Sequence, residues 1–252
     1  MATHELVRLK DAGSFPTVTL EEPNGRGYIL LAGEVDRRLP IAYFIESKAK
    51  KALIYDLKAM LPKLTGLEAV EEATLFKALI IPPGRGAYLR KRPETHIARF
   101  DLALMVRVAD PTAAAAIVAS PEFAAIEARL RETARHTYRM VGENLRRIGD
   151  VDHSRDGVFL VNYFLAADEN QNLAVWDYTA GWFQYQTGLD NSVLTRPLEQ
   201  DGAHYTIINH CRWDGLGDIL PSLLFKPSFR RYVLRHFEAN DTAAIPILYR
   251  LA

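Results

Sequence analysis

An internal repeat constrains the fold of this chain more than any other feature of its sequence. Four segments recur in the same order in the two halves, although the spacing between the copies varies along the chain. A repeat of this kind indicates that one structural unit is built twice. The matched pairs are 27–36 with 157–165, 65–68 with 187–190, 100–123 with 205–229, and 138–140 with 249–251.

Each half has the element order β-α-β-β-α-β. Such a unit forms a four-stranded antiparallel sheet with both helices on one face, so its other apolar face must be covered. The sequence therefore predicts an α+β protein in which two ferredoxin-like repeats pack sheet to sheet as an internal barrel. The predicted strands, most of them rich in β-branched and aromatic residues, are 28–35, 73–81, 99–108, 136–142, 158–166, 193–199, 204–213 and 245–251. The predicted helices are 41–62, 112–133, 170–187 and 217–238.

The repeat also sets the domain boundaries. We predict an N-terminal repeat over 1–142, a polar linker over 143–156 and a C-terminal repeat over 157–252. An insertion near 81–96 lengthens the first half, and its Pro and Gly content predicts an irregular loop. Because Pro121 and Pro227 fall within helical patterns, the second helix of each half is expected to start late or to kink there.

Composition narrows the class of protein. The chain is 48% hydrophobic and 25% charged, as is typical of a globular protein. Its 31 basic and 31 acidic residues cancel, so we expect neither nucleic acid nor a membrane as a partner. The single cysteine, Cys211, excludes an internal disulfide framework. With no signal-peptide pattern and no apolar run long enough to span a bilayer, a cytoplasmic location is expected.

The C-terminal half resembles the antibiotic biosynthesis monooxygenase family of the dimeric α/β-barrel superfamily. The matching features are a strand that ends at Trp213, a following helix, a Pro-x-Phe step at 227–229 and a closing strand that ends at Arg250. A glycine-containing turn at 186–190 lies where the family has one before its second strand, and the resemblance extends more loosely to 97–142. A fused pair of this kind covers its own sheet faces, which implies a monomer or a weak homo-oligomer.

The resemblance implies oxidation of a hydrophobic aromatic small molecule by molecular oxygen, without a cofactor. This chemistry needs an apolar pocket, a group that helps to deprotonate the substrate and donors that stabilise the resulting anion. In relatives an asparagine on the first strand and a tryptophan that ends the third strand recur in the pocket. Here Asn162 and Trp213 occupy those places, whereas the N-terminal half has Ala32 or Gly33 and Arg107.

Aromatic residues also favour a site in the C-terminal half. The helix predicted over 170–187 carries five aromatic side chains where the first half has aliphatic or charged residues. They are expected to line a pocket for a flat ligand, although an ordinary aromatic core is the competing interpretation. Strand alternation places Tyr205, Asn209, Cys211 and Trp213 on one face of the third strand and His204, His210 and Arg212 on the other. The five helix residues are Trp176, Tyr178, Trp182, Phe183 and Tyr185.

His210 is the predicted proton-transfer residue, with Tyr185 as the next candidate and a structural histidine as the alternative. Cys211 has no base spaced to activate it. No metal is expected, because His204 and His210 are not accompanied by a cysteine or carboxylate cluster of ligand spacing.

Two other functions remain open from the sequence. One is a non-catalytic protein that binds a small ligand. The other is a haem-binding or haem-degrading relative, which would need a histidine as axial ligand. The histidines available for that role are His136, His153, His204, His210 and His236.

Overall fold

The computed structural model of the protein describes residues 6–252, within which there are nine strands and seven α-helices. The strands are β1 (Gly27–Glu34), β2 (Val70–Ile80), β3 (Arg85–Gly86), β4 (Leu102–Val108), β5 (His136–Gly149), β6 (Val158–Leu165), β7 (Ser192–Asp201), β8 (Ile207–Trp213) and β9 (Ala243–Leu251). The helices are α1 (Lys48–Thr65), α2 (Ala87–Lys91), α3 (Pro111–Val118), α4 (Pro121–Thr133), α5 (Glu169–Thr187), α6 (Leu216–Phe225) and α7 (Arg235–Ala239). None of the helices described here is long and apolar enough to cross a membrane.

Eight of these strands form a closed antiparallel barrel. Their order is β2-β4-β1-β5-β7-β8-β6-β9, and β9 pairs back with β2 to close the circle. The two-residue β3 pairs with the first residues of β9. Closure leaves no long sheet edge unpaired, which removes the main route to edge-to-edge aggregation.

Each half of the chain supplies one sheet of the barrel, with the same topology. The strands of both sheets follow the order fourth, first, third, second, which is β5-β1-β4-β2 in the N-terminal half and β9-β6-β8-β7 in the C-terminal half. The fourth strand of each sheet pairs with the second strand of the other. The predicted α+β fold, with two ferredoxin-like units joined as an internal dimeric α/β barrel, is confirmed. Gene duplication as its origin stays a prediction.

The strand sequences are almost continuously apolar because one face of each strand lies in the barrel interior and the other lies beneath the helices. In β1, Tyr28 and Leu30 face the barrel interior, whereas Ile29 and Leu31 pack beneath the helices. The same alternation in β6 and β8 decides which side chains reach the barrel interior and which reach the helix layer.

The glycines that open the two first strands are required by close backbone contacts. A Cβ at Gly27 would lie 2.3 Å from the carbonyl oxygen of Asp110, and a Cβ at Gly157 would lie 2.6 Å from that of Trp213. Both distances are too short for any side chain. In each half, therefore, the glycine allows the backbone at the end of the third strand to pack closely against the start of the first strand.

The predicted linker over 143–156 is partly wrong. Residues up to Gly149 belong to β5, which crosses from one sheet to the other and pairs with β7. The polar residues that suggested a linker are used in ion pairs along the strand: Arg146 with Asp177 at 3.5 Å and Arg147 with Glu21 at 2.9 Å. Only residues 150–157 connect the halves.

Three helix predictions also need correction. The first helix starts at Lys48 rather than 41, because Ser47 caps it by accepting a hydrogen bond from the Lys50 amide. The segment 112–133 is two helices, the second capped by Ser120 with Pro121 in its first turn. The segment 217–238 breaks into α6, a π-helical stretch (Phe229–Leu234) and α7. The insertion near 81–96 contains β3 and α2 rather than only irregular loop.

A buried ion pair ties α1 to the end of the first sheet. Nζ of Lys50 lies 2.8 Å from Oδ2 of Asp101, and both side chains are fully buried. The Asp101 carboxylate also accepts hydrogen bonds from the amides of Val35 and Asp36, at 2.6 and 3.2 Å. The pair therefore fixes the point at which the chain leaves β1.

Candidate functional site

A cleft at one end of the barrel is the candidate site. It lies between the two sheets and the connection 150–157, and it is narrow: its cavity volume is about 20 Å³, enough for about one water molecule. Its deep walls are apolar side chains of the barrel interior, and charged and imidazole groups surround them. We call it the barrel-end cleft. It is lined by Tyr28, Ile29, Leu30, Glu72, Met105, Arg107, Met140, Asp150, Val151, His153, Val193, Thr195, Ile208 and His210.

Two histidines from different parts of the fold meet in this cleft. His210 points into the barrel because its neighbour Cys211 on β8 belongs to the cluster beneath the helices. His153 comes from the connection between the halves, and its Nε2 lies 2.8 Å from Nε2 of His210. Rings of Phe76 and Phe159 pack against both imidazoles, with ring centroids 5.3–6.0 Å from those of the histidines. We call His153 and His210 the histidine pair.

The hydrogen bonds fix the protons of the histidine pair. Nδ1 of His210 donates to the Leu160 carbonyl oxygen at 3.0 Å, because a carbonyl can only accept. Nδ1 of His153 donates to Oε1 of Glu72 at 2.9 Å, since an ionised carboxylate also only accepts. A third proton must then lie between the two Nε2 atoms. The pair thus carries one positive charge, which Glu72 balances.

The pKa shifts agree with this distribution. Burial and the charge of His153 lower the pKa of His210 well below its ordinary value, so His210 does not carry a charge of its own. Burial alone would raise the pKa of Glu72, but the hydrogen bond and charge of His153, together with Arg107, hold it below its ordinary value. Glu72 is therefore ionised, as its role as acceptor requires.

Arg107 and Tyr28 complete the polar rim of the cleft. Arg107 pairs with Glu71 and Glu72, each at 3.1 Å. The Tyr28 hydroxyl accepts a hydrogen bond from Nδ2 of Asn24 at 2.8 Å, and burial raises the pKa of Tyr28. The tyrosine is therefore a neutral group that still has its own proton to donate to a ligand.

Asn162 and Trp213 do not lie with the histidine pair. Trp213 packs in the cluster beneath the helices and donates from Nε1 to Thr187 at 3.1 Å. In β6, Val161 and Tyr163 face the barrel interior, so Asn162 between them faces the helix layer, where its Oδ1 is buried without a hydrogen-bond partner. A sheet therefore separates these two residues from His210, and one small ligand cannot contact all three.

The aromatic residues of α5 pack mainly as a core. Trp176 and Trp182 lie in the cluster between sheet and helices, with Tyr178 and Phe183 half-buried at its edge, whereas the Tyr185 side chain is 68% exposed. The N-terminal segment covers this helix: the Phe15 ring lies 6.5 Å from Trp182, and the backbone at Pro16 runs against Gly181. None of the five rings lines the barrel-end cleft.

Tyr205 and Asn209 are also placed away from the cleft. Contrary to the predicted alternation, Tyr205 precedes β8 and turns into the barrel, where its ring lies 5.0 Å from those of both Tyr138 and Tyr163. The side chain of Asn209 is on the other face and accepts from Ser192 at 2.7 Å. Of the ten predicted site residues, only His210 lines the cleft.

The sequence did not point to the partners of His210. His153 stood in a polar stretch interpreted as a linker, and Glu72 follows a helix with no motif around it. The sequence held one usable signal, which is the position of His153. If two sheets are joined in one chain, the connection between them must cross an end of the barrel, and His153 lies in that connection.

The structure offers no free histidine nitrogen in the cleft for a haem iron. His153 and His210 have both ring nitrogens in hydrogen bonds. His236 is buried elsewhere, with Nδ1 at the Tyr232 carbonyl and Nε2 accepting from the Leu9 amide. His136 and His204 are exposed. Within residues 6–252 no three His, Cys, Asp or Glu side chains are grouped to hold a metal ion.

Comparison with known proteins shows the fold. No family model matches the chain, and no curated protein matches its sequence. Among solved structures, an anthrone oxidase-like protein aligns with a TM-score of 0.59 and 11% identity over 94% of both chains. A protein of Fusobacterium nucleatum named as a putative monooxygenase aligns with a TM-score of 0.51 and 10% identity over 90% of this chain and 94% of that chain. At such identities the likeness extends to architecture only: the chain is a dimeric α/β barrel in which one polypeptide supplies both sheets.

Proposed function

We propose that the protein is an oxygenase-like enzyme that oxidises an apolar aromatic small molecule in the barrel-end cleft, with the histidine pair moving the protons. One observation carries the proposal. Two imidazoles 2.8 Å apart, one of them bonded to the half-buried Glu72 carboxylate, face a cleft whose deep walls are Leu30, Met105, Met140, Val193 and Ile208. Apolar walls with a few convergent polar groups are the usual form of a small-molecule site, and this narrow cleft must widen to admit an aromatic ring.

The positive charge of the histidine pair would hold the substrate as its anion. An electron-rich carbon acid or phenol loses a proton more easily when its anion lies beside a cation in a poorly solvated site. Arg107 adds positive charge at the rim, although Glu71 and Glu72 offset much of it. The anion can then give electrons to molecular oxygen.

The histidine pair can both give and take the protons of this reaction. For an activated methylene group, the carbanion adds oxygen to form a peroxide anion on that carbon, and the shared proton of the pair converts it to a hydroperoxide. The pair, now neutral, removes the remaining hydrogen of the carbon as a proton, the O–O bond breaks, hydroxide leaves and the carbonyl forms. The proton lost when the carbanion forms passes to solvent, because the pair already holds its own proton, and a proton from solvent later combines with the hydroxide. In sum, one methylene group and one oxygen molecule give one carbonyl group and one water molecule, and the pair ends with the proton with which it began.

This function is tested by oxygen uptake. With anthrones, naphthols and hydroquinones as substrates, the purified protein is expected to consume oxygen above the uncatalysed rate for at least one class. One oxygen atom from isotopically labelled molecular oxygen should appear in the product, and a chelator should leave the rate unchanged. Saturable binding of these compounds without uptake would contradict the oxygenase proposal and support a non-catalytic binding protein instead.

A further inference from the structure

The loop between β1 and α1 exposes an unusual set of large apolar side chains. Leu39, Ile41, Phe44 and Ile45 are 74%, 71%, 55% and 50% exposed, within seven consecutive residues. A globular protein normally leaves such side chains exposed one at a time rather than as a group. The group of exposed apolar side chains on this loop therefore indicates a binding surface.

The loop is held in place rather than free. Tyr43 is 2% exposed and packs into the barrel cluster, and the carbonyl of Pro40 accepts a hydrogen bond from the Ile81 amide at 2.9 Å. The far end is fixed where the Ser47 amide donates to the Asp36 carboxylate at 2.9 Å. The apolar side chains are thus presented on an anchored segment and would lose little conformational entropy on binding.

The exposed charges that segment 37–51 itself carries are positive. Arg37, Lys48 and Lys51 are exposed and lie in no ion pair within the part of the chain that the structure describes, and Arg38 lies 3.9 Å from the largely buried Asp36. Lys48 and Lys51 are three residues apart on α1 and so share a face. The one other acid, Glu46, is only 12% exposed and pairs with Lys77 at 3.0 Å. The zero net charge of the whole chain conceals this local excess.

We propose that residues 37–51 dock the protein on an anionic lipid surface. Protruding apolar residues flanked by Lys and Arg are the features by which peripheral proteins enter the headgroup region of anionic bilayers. A second copy of the chain fits less well, since a symmetric dimer through this loop would bring its four cations against the same four cations.

Docking at this loop leaves the barrel-end cleft open. The loop follows the last residue of β1, whereas the cleft is lined by Tyr28 at the strand's start, so the two lie at opposite ends of the barrel. The docking proposal therefore does not depend on the proposed function.

Vesicle co-sedimentation tests the proposal. The full chain is expected to bind phosphatidylcholine vesicles that contain one third phosphatidylglycerol, to bind pure phosphatidylcholine weakly, and to dissociate as salt is added. The double variant R37Q/R38Q should lower the partition coefficient about 30-fold, since each cation contributes about fivefold at such a surface. The variant I41S/F44S should abolish binding.

F225S is the matched control, because Phe225 is 79% exposed but belongs to α6 in the other half. It should bind like the unmodified protein, and all variants should keep its unfolding temperature. The proposal is overturned if the unmodified protein does not bind the anionic vesicles, or if F225S weakens binding as much as I41S/F44S. It is also overturned if native mass spectrometry shows a dimer that I41S/F44S dissociates.

Discussion

His153→Gln is expected to lower kcat/KM by about 10²–10⁴-fold on any substrate that the protein oxidises, the usual contribution of a positioned proton-transfer group. Glutamine can still donate one hydrogen bond toward His210 or Glu72, but it cannot carry the shared proton. The loss should therefore appear mainly in kcat, because the apolar walls that bind the substrate are unchanged. Steady-state oxygen uptake measures both constants.

His96→Gln is the matched control for this substitution. His96 contacts the Glu34 carboxylate at 2.8 Å, much as His153 contacts Glu72, but at the opposite end of the barrel. The control should keep full activity. Equal losses in the two variants, or a His153→Gln loss that follows a fall in unfolding temperature, would mean that the histidine pair is structural.

Lys50→Met is expected to destabilise the fold by about 3–5 kcal/mol, because it leaves the Asp101 carboxylate buried without its counter-charge. The double variant K50M/D101N should recover part of this loss, since asparagine is neutral and can still accept from the Val35 amide. Urea unfolding followed by circular dichroism measures each difference.

Lys51→Met is the control for the buried pair. Lys51 is the next residue of α1 but is exposed, so its loss should change stability by no more than about 0.5 kcal/mol. If Lys50→Met proves equally mild, Asp101 takes up a proton at little cost and the pair does not hold the end of β1 in the way that its contacts indicate.

The sequence predicted the fold well because each strand, and each segment of the repeat, is recognisable from a short stretch of residues. Apolar runs such as 28–35 and 158–166 lie within one residue of β1 and β6, and the matching glycines 27 and 157 mark the same backbone contact twice. Boundaries failed where a tertiary contact decides them. The polar residues of 143–149 are strand residues because Asp177 and Glu21 come from elsewhere in the chain to pair with their arginines.

The candidate site was predicted less well for a related reason. Aromatic density on α5 reflects the N-terminal segment that packs over it, and Phe15 and Gly181 give no sequence sign of meeting. The histidine pair joins residues 57 positions apart, and Glu72 reaches His153 across 81. Alternation along β8 correctly separated His210 from Trp213, but it could not say that the side with His210 holds the cleft.

The central claim is that His153 and His210 share one proton beside the cleft, and nitrogen NMR of the imidazole rings tests it most directly. The account predicts a scalar coupling between the two Nε2 nuclei across their hydrogen bond, protonated Nδ1 atoms in both rings, and a change in these signals when an aromatic ligand binds. Two neutral rings without coupling, or signals that a bound ligand leaves unchanged, would contradict it.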